Sequence, residues 1–287
     1  MNNQIDTPVT ALPFGHYSPT GGVKLFLFLS ANLSFARSWF RSLLKRYVRA
    51  GLNQKSVDVH RFQSNLRLHF DNICEMKVLL TPASFDQKER EFLASHLKEP
   101  GSVFLDIGAN AGLYSVYMLS VSDQIDVLCV EPNPTMISRL KANLKVNNDF
   151  EKNGSKVHIA ECALGDTDGF AELSVSDMNL GESTLAAVRS TEIKTSQSIK
   201  VQVRPLDKLL ETQGITKVDA LKIDVEGYEP NVLIPFFRDA DPALFPRSIV
   251  MEMVHESEES AALSSILAER GYKEVARTKL NSMLTNY

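Results

Sequence analysis

The sequence predicts an α/β fold in which a mostly parallel β-sheet is covered by helices on both faces. Between residues 103 and 276, short apolar runs rich in β-branched residues alternate with amphipathic runs, as in a chain of strands and crossover helices. The apolar runs are continuous, which is typical of strands buried on both faces. Glycine and polar residues separate the runs, so each strand is expected to end in a turn before its helix.

The elements follow in regular order. The predicted strands lie at residues 103–107, 126–131, 157–160, 218–224, 248–254 and 272–276. The predicted helices lie at residues 112–121, 135–147, 206–213, 231–237 and 260–270. Two further β-rich stretches, 170–175 and 199–203, flank a polar segment at 177–198. We predict that this segment is a mobile loop over a site.

Composition excludes several classes of protein. The chain has 287 residues, of which 44% are hydrophobic and 23% charged, so it can bury a core and is not wholly disordered. Its formal net charge of -4 disfavours a general nucleic-acid partner. Three widely separated cysteines disfavour a disulfide framework and predict a reducing, cytoplasmic location. No apolar run is long enough to predict a transmembrane segment.

The chain divides into three predicted parts. Residues 1–57 form an arm and a basic amphipathic helix at 34–50, residues 58–100 form a β-rich and helical lead-in, and residues 101–287 form the main domain. The helix at 34–50 has two interpretations: it docks its apolar face on the main domain, or it lies on an anionic membrane surface. Most amphipathic helices of soluble proteins dock, which favours the first.

The lead-in has its own predicted elements. Residues 61–81 are expected to form two or three short strands around a turn at 63–65, and residues 85–97 a helix.

Acidic residues stand at the ends of several predicted strands. Asp106, Glu131, Asp224 and Glu252 each end a strand or follow it directly. Ligands of open parallel sheets bind beyond the carboxyl ends of the strands, near the point where the strand order reverses. These carboxylates are therefore expected to surround one site.

The first strand of the main domain leads into a glycine-containing turn. Gly108 and Gly112 allow a sharp turn and a close approach of the backbone to a ligand. The spacing differs from the GxGxxG fingerprint of dinucleotide sites. Asp106 would repel a pyrophosphate but attract an amino group or a sulfonium. The turn therefore favours S-adenosylmethionine over a nicotinamide dinucleotide.

The next two strands offer further candidate contacts. Glu131 follows Gly108 by 23 residues, a spacing typical of the acidic residue that binds ribose hydroxyls. Its alternative role is to cap the following helix. Ala163 begins a short turn at 163–166 that could form one wall of an adenine site, although such turns are also common without a ligand.

The fourth strand ends in a pair of acids. Asp224 and Glu226 would point to the same side if the strand continued. They could orient a donor, bind a divalent cation or deprotonate a hydroxyl; the alternative is an acidic helix start. His255, after the fifth strand, is a general base, a metal ligand or a loop residue without a role.

Several of these segments together resemble the FkbM family of S-adenosylmethionine-dependent methyltransferases. The resemblance rests on residues 103–115, 130–134, 163–166 and 221–229, with 249–256 as a weaker block. It implies the Rossmann-like class I methyltransferase fold, with seven strands of which the last is antiparallel. For such a last strand, residues 277–287 are short.

The resemblance also implies a site and a reaction. Donor contacts would come from Asp106, Gly108, Asn110, Gly112 and Glu131, with Ala163 beside the adenine. Related enzymes methylate hydroxyls of sugars and natural products, so the expected acceptor is a glycan or small-molecule hydroxyl.

For the chemistry, Asp224 is the predicted base, or a ligand of a Mg-like ion together with Glu252 or His255. The alternatives are a nicotinamide-dependent oxidoreductase, which the absence of GxGxxG disfavours, and a scaffold protein that binds a donor without catalysis. Methylation of nucleic acid would require a basic face near the site and is disfavoured.

Overall fold

A seven-stranded sheet organises the computed structural model, which describes residues 12–32, 56–176, 183–185, 195–252 and 257–287. The strands are β1 (Ser56–Arg61), β2 (Ser64–His69), β3 (Val103–Ile107), β4 (Asp126–Val130), β5 (Lys156–Ala160), β6 (Ala163–Leu164), β7 (Gly169–Ser176), β8 (Ser183–Leu185), β9 (Thr195–Arg204), β10 (Ala220–Ile223), β11 (Ser248–Glu252), β12 (Lys273–Arg277) and β13 (Asn281–Thr285). The helices are α1 (Gly21–Asn32), α2 (Ile73–Leu80), α3 (Gln87–Ser95), α4 (Leu113–Val121), α5 (Pro134–Lys145), α6 (Asp149–Lys152), α7 (Leu206–Thr212), α8 (Glu229–Asp239) and α9 (Glu258–Glu269).

The main sheet has the strand order β12-β13-β11-β10-β3-β4-β5. The pairs from β11 through β5 are parallel, whereas β13 is antiparallel to both β11 and β12. From β3 the chain moves outward to β4 and β5 and later returns to place β10 on the other side of β3. The strand order therefore reverses between β3 and β10, which places the binding crevice beyond the carboxyl ends of these two strands. The predicted Rossmann-like class I fold is confirmed.

Helices cover both faces of the sheet because successive strand residues point to opposite sides. In β3, Phe104 packs into an apolar cluster with Leu113 and Leu140 of α4 and α5. Leu105 packs into the opposite cluster, which contains Leu233 of α8 and the apolar residues of α7 and α9. Apolar residues of β1, β2 and α2 belong to the first cluster, so the lead-in shares the core of the main domain.

The lead-in differs from its prediction in one element. The hairpin β1–β2 is present, but Ile73–Leu80 is a helix rather than a strand, so the prediction of strands throughout residues 61–81 is wrong. Asn72 caps this helix: its Oδ1 accepts hydrogen bonds from the backbone N–H groups of Cys74 and Glu75. A short apolar run is compatible with either structure, and here the cap decides for the helix.

The C-terminal residues are long enough for the final strand. Strand β13 needs only the five residues Asn281–Thr285, and it inserts between β11 and β12. The expectation that residues 277–287 are short for this strand is therefore wrong. A tight turn, in which the Thr278 N–H donates a hydrogen bond to the Asn281 carbonyl, uses few residues and leaves enough for the strand.

A smaller sheet with the order β6-β9-β7-β8 lies in the chain between β5 and α7. Strand β9 begins at Thr195, so part of the predicted loop at 177–198 is strand. The rest of that loop, apart from β8, lies outside the described residues, as do the predicted helix at 34–50 and His255. Among the helices that the structure describes, none is both long and apolar enough to cross a bilayer.

The two strands at the reversal point approach each other closely at Gly108. Gly108 has φ +70°, and a Cβ built on it would collide with the carbonyl oxygen of Asp224. Only glycine combines this backbone conformation with this approach.

Replacing Gly108 with alanine should therefore lower the free energy of unfolding by about 2 to 4 kcal/mol, from backbone strain and overpacking. Urea denaturation of the two proteins measures this difference. Gly169→Ala is the matched control, because a Cβ at the exposed Gly169 has no atom within 4 Å. Equal stability of wild type and Gly108→Ala would show that the two strands can separate at no cost.

Candidate active site

A cleft opens beyond the carboxyl ends of β3, β4 and β10. It is lined by Gly108, Asn110, Glu131, Ala163 and Asp224, all of which the sequence singles out. Asp106 is fully buried beneath the turn, and Gly112, which begins α4, lies where a Cβ would collide with Leu140 of α5. The structure therefore brings the predicted donor contacts together. Four of them line the cleft, whereas Asp106 and Gly112 lie behind the lining and support the turn.

Glu131 is held in one orientation by the backbone. Its Oε2 accepts a hydrogen bond from the N–H of Asn110 at 2.8 Å, and its Oε1 accepts one from the N–H of Asn133 at 2.9 Å. Burial raises the pKa of this carboxyl to about 7, although the two N–H donors act in the opposite direction. A carboxylate has about four acceptor positions, so Glu131 retains capacity for ligand hydroxyls.

Asp106 is a buried carboxylate with one unsatisfied oxygen. Its Oδ2 accepts a hydrogen bond from Ser115 Oγ at 2.5 Å, whereas Oδ1 has no hydrogen-bond partner among the described residues. Burial raises the pKa of Asp106, and the nearby ammonium of Lys222, 3.9 Å from Oδ1, opposes this shift. A buried carboxylate oxygen without a hydrogen bond is costly, so the surroundings of Asp106 favour positive charge or a hydrogen-bond donor.

Lys222 joins the acidic groups of the site and was missed by the sequence analysis. Its Nζ donates a hydrogen bond to the Gly108 carbonyl at 2.8 Å and lies 3.6 Å from Asp224 Oδ2. Burial lowers the pKa of Lys222, but Asp224 and Asp106 raise it more, so the net shift is upward. The available signal was a lysine inside a strand that is otherwise apolar, since lysine is almost never buried without a partner.

Three carboxylates form an acidic cluster beside the cleft. Oxygen atoms of Asp224, Glu229 and Glu252 all lie within 4.8 Å of one another. Burial raises the pKa of Glu252 to about 7, and the charges of Asp224 and Glu229 add to this. Such a group can share a proton or hold a divalent cation. Glu229, in the first turn of α8, was not predicted as a member.

Glu226 reaches the cleft by a different route from the one predicted. Strand β10 ends at Ile223, so strand alternation does not place Asp224 and Glu226 on one side. Glu226 instead lies in a turn with φ +54°, and both side chains belong to residues that line the cleft.

The lead-in supplies another wall of the cleft. Asn72, Cys74, Phe85 and Asp86 line it, and Asp86 Oδ2 accepts a hydrogen bond from the hydroxyl of Tyr114 at 3.1 Å. Burial raises the pKa of Asp86. No local pattern in the sequence indicates these residues, because they reach the site through packing of α2 and the segment before α3.

Comparison with known proteins identifies the region that builds this cleft. A family model of the methyltransferase FkbM domain matches residues 106–274. Methyltransferase 1 of Beauveria bassiana is 27% identical over 188 residues, covering 60% of this chain and 72% of the relative. The 2-O-methyltransferase NoeI of Sinorhizobium fredii is 26% identical over 152 residues, covering 49% and 60%. The hexuronic acid methyltransferase AglP of Haloferax volcanii is 25% identical over 171 residues, covering 60% and 63%.

The family match spans more than half of the chain and includes β4 to β11 complete, together with the turn that follows β3. The cleft and its acidic residues lie largely within these elements. This chain belongs to the methyltransferase FkbM domain family.

Proposed function

We propose that this protein uses S-adenosylmethionine to methylate a hydroxyl oxygen of a sugar, a glycan or a small natural product. The observation that carries the proposal is a pair of buried carboxylates at the glycine turn of the reversal point: Asp106 lies beneath the turn, and Glu131 accepts a hydrogen bond from its Asn110 N–H. The name of NoeI denotes transfer to an oxygen, and that of AglP denotes a hexuronic acid acceptor. The first name supports an oxygen acceptor here, and the second supports an acceptor of the sugar class.

The residues present suit this donor. Glu131 can accept hydrogen bonds from two ribose hydroxyls. The absence of a side chain at Gly108 lets the turn after β3 lie against the Asp224 backbone, so both turns line the cleft. The Oδ1 of Asp106 accepts no hydrogen bond from the described residues, and the charge of this carboxylate beneath the turn favours a cationic amino group in the cleft above it. Ala163 also lines the cleft, and its small side chain leaves room for an adenine ring.

When bound, S-adenosylmethionine supplies a methyl group on a positively charged sulfur, which is reactive toward an aligned oxygen. The protein then has two tasks: it aligns the acceptor hydroxyl, and it receives the proton of that hydroxyl. We assign the second task to Asp224, which lines the cleft and is 44% exposed in its side chain. Lys222 holds the Asp224 carboxylate toward the cleft by charge attraction.

A metal-assisted variant rests on the acidic cluster. Asp224, Glu229 and Glu252 could hold a Mg-like ion that lowers the pKa of the acceptor hydroxyl. In this variant Asp224 is a ligand rather than a base. His255, predicted for either role, remains a candidate from the sequence only.

Calorimetric titration tests the donor first. S-adenosylmethionine should bind with micromolar affinity, NAD should not bind, and Glu131→Ala should abolish or greatly weaken binding because the ribose contacts are lost. Binding of NAD alone would indicate an oxidoreductase. Absence of both would contradict the proposed function.

Donor affinity should also depend on pH. Because the free Glu131 carboxyl has its pKa raised to about 7, it is protonated below that pH and cannot accept two ribose hydrogen bonds. The affinity should therefore rise as the pH increases from 6 to 8, by up to about tenfold. Glu131→Gln is the control, and its weaker binding should be independent of pH over this range. A wild-type affinity that does not change between pH 6 and 8 would mean that donor binding does not depend on a Glu131 carboxyl that titrates in this range.

Substitution of Asp224 separates chemistry from binding. Asp224→Asn should lower turnover by about 100-fold or more while changing donor affinity little, because a general base acts only on the acceptor. Turnover is measured as formation of S-adenosylhomocysteine with a neutral hexoside acceptor found by screening. Asp168→Asn is the control, since that side chain is 64% exposed.

The same assay distinguishes the two roles of Asp224. Loss of wild-type turnover on chelation with EDTA, restored by Mg²⁺, would assign it to a metal site. Equal losses of turnover and donor affinity in Asp224→Asn would assign it to donor binding, and unchanged kinetics would remove it from the site.

A further inference from the structure

The turn after β3, which the proposed donor would contact, is held in place by residues outside the family-matched region 106–274. We propose that Asn72, at the start of α2, is a positioning residue for the donor: it fixes Asn110 so that the Asn110 N–H holds Glu131. This inference rests on the proposed donor site and extends it to the lead-in. Residues 56–95 then take part in donor binding through Asn72, although they lie outside the family-matched region.

Asn72 contacts the turn and its own helix at once. Its Nδ2 donates a hydrogen bond to Asn110 Oδ1 at 2.7 Å, while its Oδ1 accepts the bonds that cap α2. Asn72 is 1% exposed and lines the cleft. The nitrogen of the amide therefore binds the turn, and its oxygen binds the first residues of α2.

Asn110 needs external support because its backbone is strained. It has φ +52°, in the left-handed region that residues other than glycine adopt at a cost. Its Oδ1 accepts bonds both from Asn72 and from the N–H of Ala111, at 2.8 Å. These bonds fix the residue whose N–H, in turn, donates to Glu131 Oε2 at 2.8 Å.

A second contact ties the lead-in to the same turn. Asn143 of α5 is fully buried; its Nδ2 donates to the Ala111 carbonyl at 2.9 Å, and its Oδ1 accepts from the N–H of Arg67 in β2 at 2.9 Å. One buried side chain therefore joins the hairpin directly to the turn. The position of Asn110 and Ala111 depends on the lead-in through two independent routes.

The lead-in is itself anchored firmly enough to do this. Arg139 of α5 donates to Glu75 Oε2 at 2.7 Å and to Asp71 Oδ2 at 2.9 Å, and Glu75 is fully buried. Asp71 and Glu75 flank Asn72 in sequence. Because removal of one partner leaves a buried charge uncompensated, this ion pair resists separation of α2 from α5.

Donor affinity of designed variants tests the inference. Asn72→Ser retains a capping oxygen but cannot reach Asn110, so the dissociation constant for S-adenosylmethionine should rise by about threefold to tenfold, the cost of one buried hydrogen bond. Asn147→Ala is the matched control: Asn147, two residues beyond the end of α5, exchanges hydrogen bonds with the backbone of Asn65 at 2.8 and 2.6 Å. It also donates to the backbone carbonyl of Asn143 at 2.7 Å, but none of these bonds is made to the turn itself. Its donor affinity should equal that of wild type.

A double-mutant cycle identifies the route. Asn110→Gly allows the positive φ without side-chain support. In that background Asn72→Ser should have little further effect on affinity, because its target is gone.

The inference is overturned by additive effects in the cycle, by wild-type affinity of Asn72→Ser, or by an equal loss in Asn147→Ala, which would indicate general loosening. If the wild-type protein binds no S-adenosylmethionine, the proposed function fails and this inference fails with it.

Discussion

The site depends on the close contact of two neighbouring strands at Gly108. Because no side chain separates Gly108 from the Asp224 backbone, the turn after β3 and the turn after β10 meet at the point where the strand order reverses. Lys222 of β10 strengthens the same contact, because its Nζ donates a hydrogen bond to the Gly108 carbonyl. The cleft exists because these two turns converge there and the chain then diverges into helices on opposite faces of the sheet.

The charge of the cleft follows from this arrangement. Convergent strand ends collect Asp106, Glu131 and Asp224, whereas Lys222 is the only cationic residue among the described residues that line the cleft. The ammonium of Lys222 is already shared between two carboxylates and a carbonyl. An excess of buried negative charge is costly unless a cation compensates it, and a sulfonium with an amino group provides that compensation. The electrostatics of the cleft and the chemistry of the family therefore agree.

The lead-in adds a wall to the cleft, so the site is not formed by the strand ends of the sheet alone. Its hairpin and α2 pack into the same apolar cluster as β3 and α4, and polar side chains within that packing reach the turn. Asp86 and Cys74 come to the cleft in the same way.

The alternation of strands and helices, the glycine turn and the acids that end the strands could all be predicted from the sequence. These are local features. An apolar run predicts a strand, and the residue that follows the run lies at the carboxyl end of that strand, independently of the rest of the chain. The helix Ile73–Leu80 has a local signal in its cap residue Asn72. The pairing of Lys222 with Asp106 and the contact of Asn72 with Asn110 have no such signal. Those outcomes depend on atoms 38 and more than 100 residues apart in the chain, and only packing of the folded chain sets such distances.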